Sequence, residues 1–380
     1  MNFEEHAAKP LLAKYGIAVP ESRLASNPQE AEAAAATIGP CVVKAQVPTG
    51  KRGKAGGIKL AATPQEARQH AENILGMDIS GWTVGKVLIE AQTPIARELY
   101  VAILDDRGTK GPMLLFSGLG GMDVEEAAES DPNAMRRIAI PIDQGLSEDA
   151  ARSAIEGIDD IAKHATALVD VFMNLYRAWR ELDAELIEIN PLVITKDGRV
   201  VALDCKFTLD DSSAARQKDI AANAAPEKQT VLEAKAADAG LKYIELDGSV
   251  GVLANGAGLT MTTMDVIAHY GGSASNFLEI GGEAYTKAKT ALSILLENPN
   301  IKALLVNFCG AFARTDVMAE GVINAWQDLK PDIPIFFTIH GTGAEDAVAL
   351  VRDRLGIEPY DLMDDAVKAA VAAATGRAAA

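Results

Sequence analysis

The sequence predicts a mixed α/β protein in two parts, an α+β part over residues 1–239 and an open parallel α/β part over residues 240–380. In the first part, residues 185–206 hold two β-type runs around a short turn, which is typical of a β-hairpin. In the second part, short apolar strands alternate with helices, and this order predicts a parallel sheet with helices on both faces. Residues 207–239 are poor in large apolar side chains and mark the domain boundary.

The composition is that of a globular protein without a nucleic-acid or membrane partner. The 380 residues carry a formal net charge of −17, and an acidic chain does not neutralise a phosphate backbone. No apolar run approaches the ~18 residues of a membrane span, and no signal peptide is apparent. Cys41, Cys205 and Cys309 lie far apart in apolar runs, which predicts buried, reduced thiols and a cytoplasmic location.

The other elements follow from apolar periodicity, capping residues and breakers. We predict helices at 3–15, 28–38, 64–75, 147–157, 161–181, 259–270, 284–297, 315–329, 344–355 and 362–376. We predict strands at 41–47, 58–61, 87–92, 98–104, 113–117, 185–195, 200–206, 250–254, 276–280, 302–307 and 333–339. An acidic run at 124–132 follows a glycine-rich stretch and receives no predicted element.

The hairpin at 185–206 has a register that its turn predicts. The turn at 196–198 fits a three-residue loop with Gly198 in the left-handed conformation. Counting back from this turn sets Asn190 opposite Asp204. Pro191 donates no ladder hydrogen bond, so we expect its strand to lie at a sheet edge or to be bulged there.

Four polar side chains would converge on one face of this hairpin: Glu188, Asn190, Asp204 and Lys206. A carboxylate and an amide oxygen are suitable ligands for a hard cation, because Mg²⁺ takes one or two protein ligands together with substrate phosphates. The alternative is an ordinary hairpin whose polar face is hydrated.

A basic, glycine-rich loop follows a strand that contains a lysine. Lys44 lies within the apolar strand 41–47, where a cation needs a partner or a bound anion. Residues 49–57 then place three cations among four glycines, a composition that lets backbone amides approach a phosphate. The spacing does not match a Walker A loop. A mobile basic surface loop is the alternative interpretation.

These motifs resemble those of the β subunits of succinyl-CoA synthetases, which are ADP- or GDP-forming carboxylate–CoA ligases. The run E-I-N-P-L-V at 188–193 and R-G-K-A-G-G at 52–57 are the most specific parts, and the resemblance extends to about residue 355. It implies an ATP-grasp fold followed by a flavodoxin-like open parallel α/β domain, a nucleotide (ATP or GTP) with Mg²⁺, and coenzyme A as a co-substrate.

The resemblance also implies roles for individual residues. Asn190 and Asp204 would hold Mg²⁺, and Glu188 would face the site of phosphoryl transfer. The nucleotide would be held by Lys44, Lys51, Arg52, Gly53, Glu90, Thr93 and Glu98. Glu90 and Glu98, taken alone, are equally consistent with solvated carboxylates at strand ends.

The second part carries the residues that the resemblance places near the carboxylate substrate. Asn255 opens an N-G-A-G loop at 255–258, which is not a dinucleotide fingerprint. Ala311, Phe312 and Ala313 stand where the family has Gly, Ile and Val. Succinate is therefore the family's default acid, but these changes predict a different preference. His340 precedes a glycine at a predicted strand end and is either a substrate contact or a structural residue.

The implied protein is half of an enzyme. An α subunit would supply the phosphohistidine and most of the coenzyme A site, so we expect a heteromeric complex acting on a small carboxylic acid. Two alternatives stay open, an ATP-grasp ligase that joins a carboxylate to an amine and a paralogue that binds nucleotide without turnover. The long C-terminal part argues against the first, and the complete set of basic and metal-ligand positions argues against the second.

Overall fold

The computed structural model describes residues 1–121, 134–281 and 284–376. The chain divides into two compact units, Met1–Glu227 and Lys228–Ala380. The acidic run at 124–132 lies outside the described residues.

A four-stranded antiparallel sheet forms one half of the first unit, in the order β1-β6-β2-β3. Two helices, α2 and α3, pack on it through buried alanines, and each starts at a side-chain cap followed by proline. A two-stranded ribbon, β4–β5, lies beside it in sequence. The bounds are α1 (Glu5–Lys14), β1 (Ser22–Ala25), α2 (Pro28–Ile38), β2 (Cys41–Ala45), β3 (Ile58–Ala61), α3 (Pro64–Ile74), β4 (Asp78–Ile79), β5 (Trp82–Thr83) and β6 (Val87–Ala91).

A six-stranded antiparallel sheet forms the other half, in the order β11-β10-β7-β8-β9, with β12 also paired to β10. Its core includes Phe116 against Phe172 of the long helix α5, with ring centroids 5.1 Å apart, and helix α1 packs into the same core. The bounds are β7 (Ile95–Asp106), β8 (Gly111–Ser117), β9 (Arg136–Ala139), α4 (Glu148–Ser153), α5 (Ala165–Glu181), β10 (Ala184–Thr195), β11 (Val200–Ala202), β12 (Lys206–Leu209) and α6 (Lys218–Ala221).

The predicted hairpin is present with the predicted register. Ile194 pairs with Val200, and Gly198 has a φ of 86°. The second strand was predicted as one piece but is divided into β11 and β12, because residues 203–205 leave the ladder. The first strand is not at an edge: β10 lies between β7 and the β11–β12 side, and its pairing with β7 shifts between Ile189 and Leu192, around the proline.

The second unit is a five-stranded sheet in the order β13-β15-β14-β16-β17, parallel except for β13. Helices α9, α10 and α11 cover one face, and α8 and α12 cover the other. The parallel strands follow the flavodoxin-like order 2-1-3-4. The bounds are α7 (Val231–Asp238), β13 (Lys242–Glu245), β14 (Val250–Ala254), α8 (Ala257–His269), β15 (Asn276–Glu279), α9 (Ala284–Glu297), β16 (Ala303–Gly310), α10 (Thr315–Leu329), β17 (Ile335–Gly341), α11 (Ala344–Leu355) and α12 (Met363–Thr375).

Two features of this unit differ from the sequence prediction. The antiparallel edge strand β13 was not predicted, since its polar and apolar residues alternate too briefly to stand out. Helix α7, which the predicted boundary at 239/240 assigns to the first part, packs in the second unit through Leu232 and Ala236. In the part of the chain that the structure describes, no helix is both long and apolar enough to cross a membrane.

Candidate functional site

A cleft of about 1440 Å³ lies in the first unit and is lined by residues from both of its larger sheets. Its volume exceeds the 300–1,000 Å³ that is common for small-molecule sites. Nine of the ten nucleotide, metal and catalytic residues named from the sequence line it: Lys44, Lys51, Arg52, Gly53, Glu90, Thr93, Glu188, Asn190 and Asp204. The hairpin and the basic loop, which are far apart in sequence, thus meet at one cleft.

Glu98 is the residue of that set that does not line the cleft. It pairs with Val193 in the ladder between β7 and β10. A Cβ added at Gly121 would collide with its carboxylate, so the Glu98 side chain lies directly against Gly121.

Lys44 is buried because carboxylates surround its ammonium group. Its Nζ donates to Glu5 Oε1 at 3.0 Å, to Glu90 Oε1 at 2.8 Å and to the Leu203 carbonyl at 2.6 Å. A cation inside a strand is stable only with such compensation. The predicted partner of Lys44 is therefore present within the chain itself.

Two members of this cluster, Glu5 and Lys9 of helix α1, were missed from the sequence. Lys9 Nζ donates to Glu5 Oε1 at 3.0 Å, to the Leu203 carbonyl at 2.8 Å and to Glu90. Both side chains are buried on the same helix face as Ala8 and Leu12. An i,i+4 Glu–Lys pair on the apolar stripe of a helix was the signal that could have identified them.

Arg52 joins this buried cluster to the cleft. One end of its guanidinium, NH1, donates to Glu5 Oε2 at 2.7 Å and to the Ala45 carbonyl at 3.0 Å. The other end, NH2, donates to both oxygens of Asp204 at 2.7 and 2.6 Å. The cluster contains three cations and three carboxylates, so its formal charges cancel: Lys9, Lys44 and Arg52 with Glu5, Glu90 and Asp204.

The pairing shifts the pKa values of Glu5, Lys44 and Arg52. Burial alone would raise the pKa of the Glu5 carboxyl, but Lys44, Arg52 and Lys9 together hold that pKa well below its usual value. Burial would lower the pKa of Lys44, yet Glu5, Glu90 and Asp204 raise it above the ordinary lysine value. The same balance, led by Asp204 and Glu5, raises the pKa of Arg52.

Asn190 and Asp204 supply oxygen atoms to one region of the cleft. The Asn190 amide is oriented by Gly121, whose N–H donates to Oδ1 at 2.8 Å and whose carbonyl accepts from Nδ2 at 3.1 Å. Asp204 also accepts from the Cys205 N–H at 2.7 Å. One carboxylate and one oriented amide oxygen fit a hard cation such as Mg²⁺, which completes its shell with water and phosphate. Among the described residues, no group of three or more His, Cys, Asp or Glu side chains could hold a metal ion.

Glu188 and Lys206 complete the polar face that the hairpin register predicts. They are cross-strand partners in the β10–β12 ladder, and both line the cleft. Glu188 accepts a hydrogen bond of 3.0 Å from the hydroxyl of Tyr100. The four polar residues predicted to converge, Glu188, Asn190, Asp204 and Lys206, thus all line one cleft.

The cleft has an apolar wall as well as a charged one. On the exposed face of β2 and β3, Val42 faces Leu60 across the ladder, and Leu60 is largely exposed. Ile38, Pro40, Ile58 and Ile95 continue this wall. An apolar surface beside fixed cations suits a molecule with a flat base and a polyphosphate.

In the second unit, loops at the carboxyl ends of β14 and β16 form a separate candidate region. The Asn255 side chain braces Cys309, donating to its carbonyl at 2.9 Å and accepting from its N–H at 2.8 Å. The neighbouring loop is joined through Gly310, whose carbonyl accepts from Thr342 N at 3.1 Å. A Cβ at Gly310 would lie 2.8 Å from the Ala313 carbonyl, so only glycine fits.

The three substituted positions of this region have different surroundings. Ala311 is exposed, Ala313 is half-buried against the unit's core, and the Phe312 side chain is fully exposed, at 106%. Phe312 therefore points away from its own unit. The predicted burial of the three thiols holds for Cys41 and Cys205 but is wrong for Cys309, which is exposed because it lies where β16 leaves the core.

His340 lies at the end of β17 and is exposed. Its Nε2 is 3.3 Å from the Thr338 hydroxyl. Both interpretations of this histidine, a substrate contact and a structural residue of the loop, stay predictions.

Comparison with known proteins identifies both units. Residues 2–194 match the ATP-grasp domain family, and residues 253–372 match the CoA-ligase family. The chain is 45% identical over 380 residues to the succinate–CoA ligase [ADP-forming] subunit beta of Chloroflexus aurantiacus, covering 99% of this chain and 100% of that protein. It is 40% identical over 380 residues to the succinate–CoA ligase [GDP-forming] subunit beta of Thermus thermophilus, covering 100% of both.

A solved structure supports the same fold over both units. The ATP citrate lyase of Methanothrix soehngenii, in complex with citrate and coenzyme A, superposes with a TM-score of 0.73 at 25% identity, covering 97% of this chain and 98% of that one. The sequence prediction of an ATP-grasp fold followed by a flavodoxin-like domain is confirmed. With full-length relatives at this level of identity, the chain belongs to the family of succinate–CoA ligase β subunits, which are acid–thiol ligases.

Proposed function

We propose that this chain is the nucleotide-binding β subunit of an ADP-forming carboxylate–CoA ligase, acting on ATP with Mg²⁺ and working with an α subunit. The observation that carries the proposal is the cleft in which the basic loop, the buried Lys44 and the oxygen ligands of the hairpin meet. The names of the relatives, each a subunit beta, support a partner subunit.

The overall reaction joins a carboxylate to coenzyme A in three balanced steps. The terminal phosphoryl group of ATP moves to a histidine of the partner subunit, leaving ADP. The phosphoryl group then moves to the carboxylate and gives an acyl phosphate. Finally the thiol of coenzyme A attacks the acyl carbon, the thioester forms and inorganic phosphate leaves.

The chain's own residues would position the nucleotide and offset its charge. Lys44 and Arg52 hold fixed positive charge at the cleft, and Lys51 lies beside them on the loop. Asn190 and Asp204 would hold Mg²⁺, which when bound offsets the charge on the phosphate oxygens. The apolar wall on β2 and β3 would receive the base.

We also propose roles for three glutamates of the first unit. Glu188, hydrogen-bonded to Tyr100, would face the phosphoryl group as it is transferred. Glu90 would act through Lys44 and Lys9, because its carboxylate is buried against both cations. We propose no direct nucleotide contact for the Glu98 side chain, since it lies against Gly121 outside the lining of the cleft.

We propose a small carboxylic acid as the substrate of the second unit, near Asn255 and the loop at 311–313. Succinate is the reference acid because the relatives carry it in their names. Because the Phe312 side chain points outward, Ala311 and Ala313 would form this chain's own wall of the acid site. At position 312, where the family has the aliphatic side chain of Ile, this wall would have no inward side chain and would leave more room. We therefore expect a bulkier or hydroxylated acid to compete with succinate.

Two observations favour this function over the alternatives. The match of residues 253–372 to the CoA-ligase family favours thioester formation over amide formation by a carboxylate–amine ligase. The presence of Asn190, Asp204, Lys44 and the basic-loop residues Lys51 and Arg52 in one cleft favours turnover over nucleotide binding alone.

A cytoplasmic location is part of the proposal. Burial raises the pKa of the Cys41 thiol, and burial beside Asp204 raises that of Cys205 well above its usual value, so both are unreactive. An exposed free thiol such as Cys309 persists in a reducing compartment.

The test is reconstitution with the α subunit of a succinate–CoA ligase, followed by measurement of ADP and thioester release. We expect both products to appear together, to require Mg²⁺, and to appear with ATP in preference to GTP. Comparing kcat/KM for succinate, malate, citrate and short monocarboxylates identifies the acid. Absence of any thioester with every acid, despite a folded complex, would overturn the proposed function.

A further inference from the structure

The guanidinium of Arg52 has two ends in different surroundings. The NH1 end is buried, 2.7 Å from Glu5 Oε2 and 3.0 Å from the Ala45 carbonyl. The NH2 end reaches the cleft, where it contacts both oxygens of Asp204 at 2.7 and 2.6 Å. The first end is held by a fully buried carboxylate, and the second by a carboxylate whose side chain is 30% exposed.

Asp204 is the carboxylate that the proposed function assigns to the divalent cation. A bidentate arginine–carboxylate pair is among the stronger charge-assisted contacts. While Arg52 occupies both oxygens of Asp204, a cation has to displace it. Once displaced, the NH2 end needs another anion, and a nucleotide phosphate at the same cleft would provide one.

Glu5 holds Arg52 in place during that exchange. It accepts hydrogen bonds from Lys9, Lys44 and Arg52, so helix α1 fixes a carboxylate beneath three cations. Without it, the guanidinium would be held in the cluster by Asp204 and one backbone carbonyl. A cation at Asp204 would then leave the arginine with the Ala45 carbonyl as its one remaining partner in the cluster.

We propose that Glu5 is a positioning residue that anchors one end of Arg52, so that the other end exchanges Asp204 for a nucleotide phosphate when a divalent cation takes Asp204. The proposal rests on the assignment of Asp204 as a metal ligand. The proposal makes cation and nucleotide binding mutually dependent. A cation at Asp204 frees Arg52 for a phosphate, and a phosphate at Arg52 frees Asp204 for the cation. By linkage, each ligand then raises the affinity for the other by the same factor. The proposal also predicts that the chain binds the cation weakly when no nucleotide is present.

The probe is Mn²⁺ alone, added to the nucleotide-free full chain and followed by calorimetry or electron paramagnetic resonance. Arg52→Gln should bind Mn²⁺ roughly 10- to 100-fold more tightly than the wild type, as expected for the loss of one charge-assisted bidentate competitor. Asp204→Asn should remove Mn²⁺ binding in both backgrounds. Arg23→Gln, at an exposed arginine of β1, is the matched control and should change nothing.

A second comparison separates the bond from the net charge. Lys9→Met removes one positive charge from the same cluster without touching Asp204, so its effect on Mn²⁺ affinity should be much smaller than that of Arg52→Gln. If the two variants tighten Mn²⁺ binding equally, the cluster acts through net charge alone and the exchange is wrong.

The role of Glu5 is tested at constant charge with the double variant Glu5→Gln/Lys9→Met. Because Asp204 is then the one carboxylate that holds Arg52, Mn²⁺ should bind severalfold more weakly than to the wild type, and the KM for ATP in the reconstituted enzyme should rise more than kcat falls. A purely structural role would lower the melting temperature and leave the Mn²⁺ affinity unchanged. If the double variant does not fold, Glu5→Asp, which withdraws the carboxylate by one methylene, is measured in its place.

The outcomes distinguish failure of the Arg52 exchange from failure of the metal assignment at Asp204. Equal Mn²⁺ affinity of the wild type and Arg52→Gln, with binding still dependent on Asp204, would overturn the exchange and leave the proposed function standing. Mn²⁺ binding that survives Asp204→Asn would overturn the metal assignment, and the exchange with it.

Discussion

The cleft of the first unit and the candidate loops of the second unit are organised in opposite ways. At the cleft of the first unit, six ionised side chains are paired with one another, and the three cations among them, Lys9, Lys44 and Arg52, are buried. In the second unit, the candidate residues lie at strand ends and loops whose hydrogen bonds are mainly neutral, such as those between Asn255 and Cys309, with exposed ion pairs of Arg314 to Asp316 and Asp346 beside them. One region is preorganised by charge, the other by backbone geometry.

The difference indicates which region is complete within this chain. A buried cluster with balanced charges excludes water and fixes the donors before a ligand arrives, which is what phosphoryl transfer requires. The candidate loops of the second unit, by contrast, leave the Phe312 side chain fully exposed and the Cys309 thiol exposed. This agrees with a β subunit whose acid site is completed by a partner.

The largest expected effect is at Asp204. Asp204→Asn keeps the size of the side chain but removes the charge that balances Arg52 and would bind the cation. We expect the thioester-forming rate of the reconstituted enzyme to fall by about 10²–10³-fold or more, with little change in folding. Asp211→Asn, at an exposed aspartate of the same unit, is the control. Wild-type activity of Asp204→Asn would contradict the assignment of the cleft as the nucleotide site.

Two phenylalanines four residues apart test the contrast within the second unit. Phe308→Ala empties a fully buried position of β16 and should lower the free energy of unfolding by about 3–5 kcal/mol. The Phe312 side chain is fully exposed on this unit, so Phe312→Ala should change that free energy by no more than about 0.5 kcal/mol. Its effect should instead appear in the KM of the acid or in the affinity for the partner.

Urea unfolding of both variants makes this comparison, since the midpoint reports stability at constant slope. If Phe312→Ala lost as much stability as Phe308→Ala, the loop would be part of the core and the description of an open half-site would be wrong.

The smallest expected effect is a pH dependence at Glu5. The pKa of its carboxyl is held well below the usual value in the folded chain, so the unfolded chain binds the proton first as the pH falls. The stability from Glu5 is therefore present above about pH 4.3, the unperturbed glutamate value, and is lost as the pH falls through the lower, folded value. The difference in unfolding free energy between the wild type and Glu5→Gln should shrink there, by at most about 1.4 kcal/mol per pH unit.

Unfolding measured at neutral pH and at several lower values tests this. A difference that stays constant down to pH 3 would show that the charge of Glu5 contributes nothing to stability. The cleft would then resemble the loops of the second unit, because backbone geometry and not charge pairing would hold its residues in place.

Much of the cleft followed from the sequence because its parts are local. The turn with Gly198 set the register of the hairpin, and the register set Asn190 and Asp204 on one face. The run of glycines and cations at 49–57 could be recognised without a structure because its composition is unusual.

What sequence reasoning missed depends on contacts over long distances. Glu5 and Lys9 look like a surface pair of a first helix, and only the packing of α1 near β2 and β6 buries them. The pairing of Arg52 with Asp204 joins residues that are 152 positions apart. Exposure of Phe312 is likewise a tertiary property, since nothing in an aromatic residue beside two alanines indicates its direction.

The most direct test of the central claim uses the purified chain without its partner. The account predicts that the chain binds one MgATP, that Asp204→Asn abolishes the metal-dependent part of this binding, and that no acyl-CoA forms with any acid. Adding an α subunit should restore thioester formation. A single purified chain that forms acyl-CoA, or one that is folded but does not bind MgATP, would contradict the division between a complete nucleotide site and an open acid site.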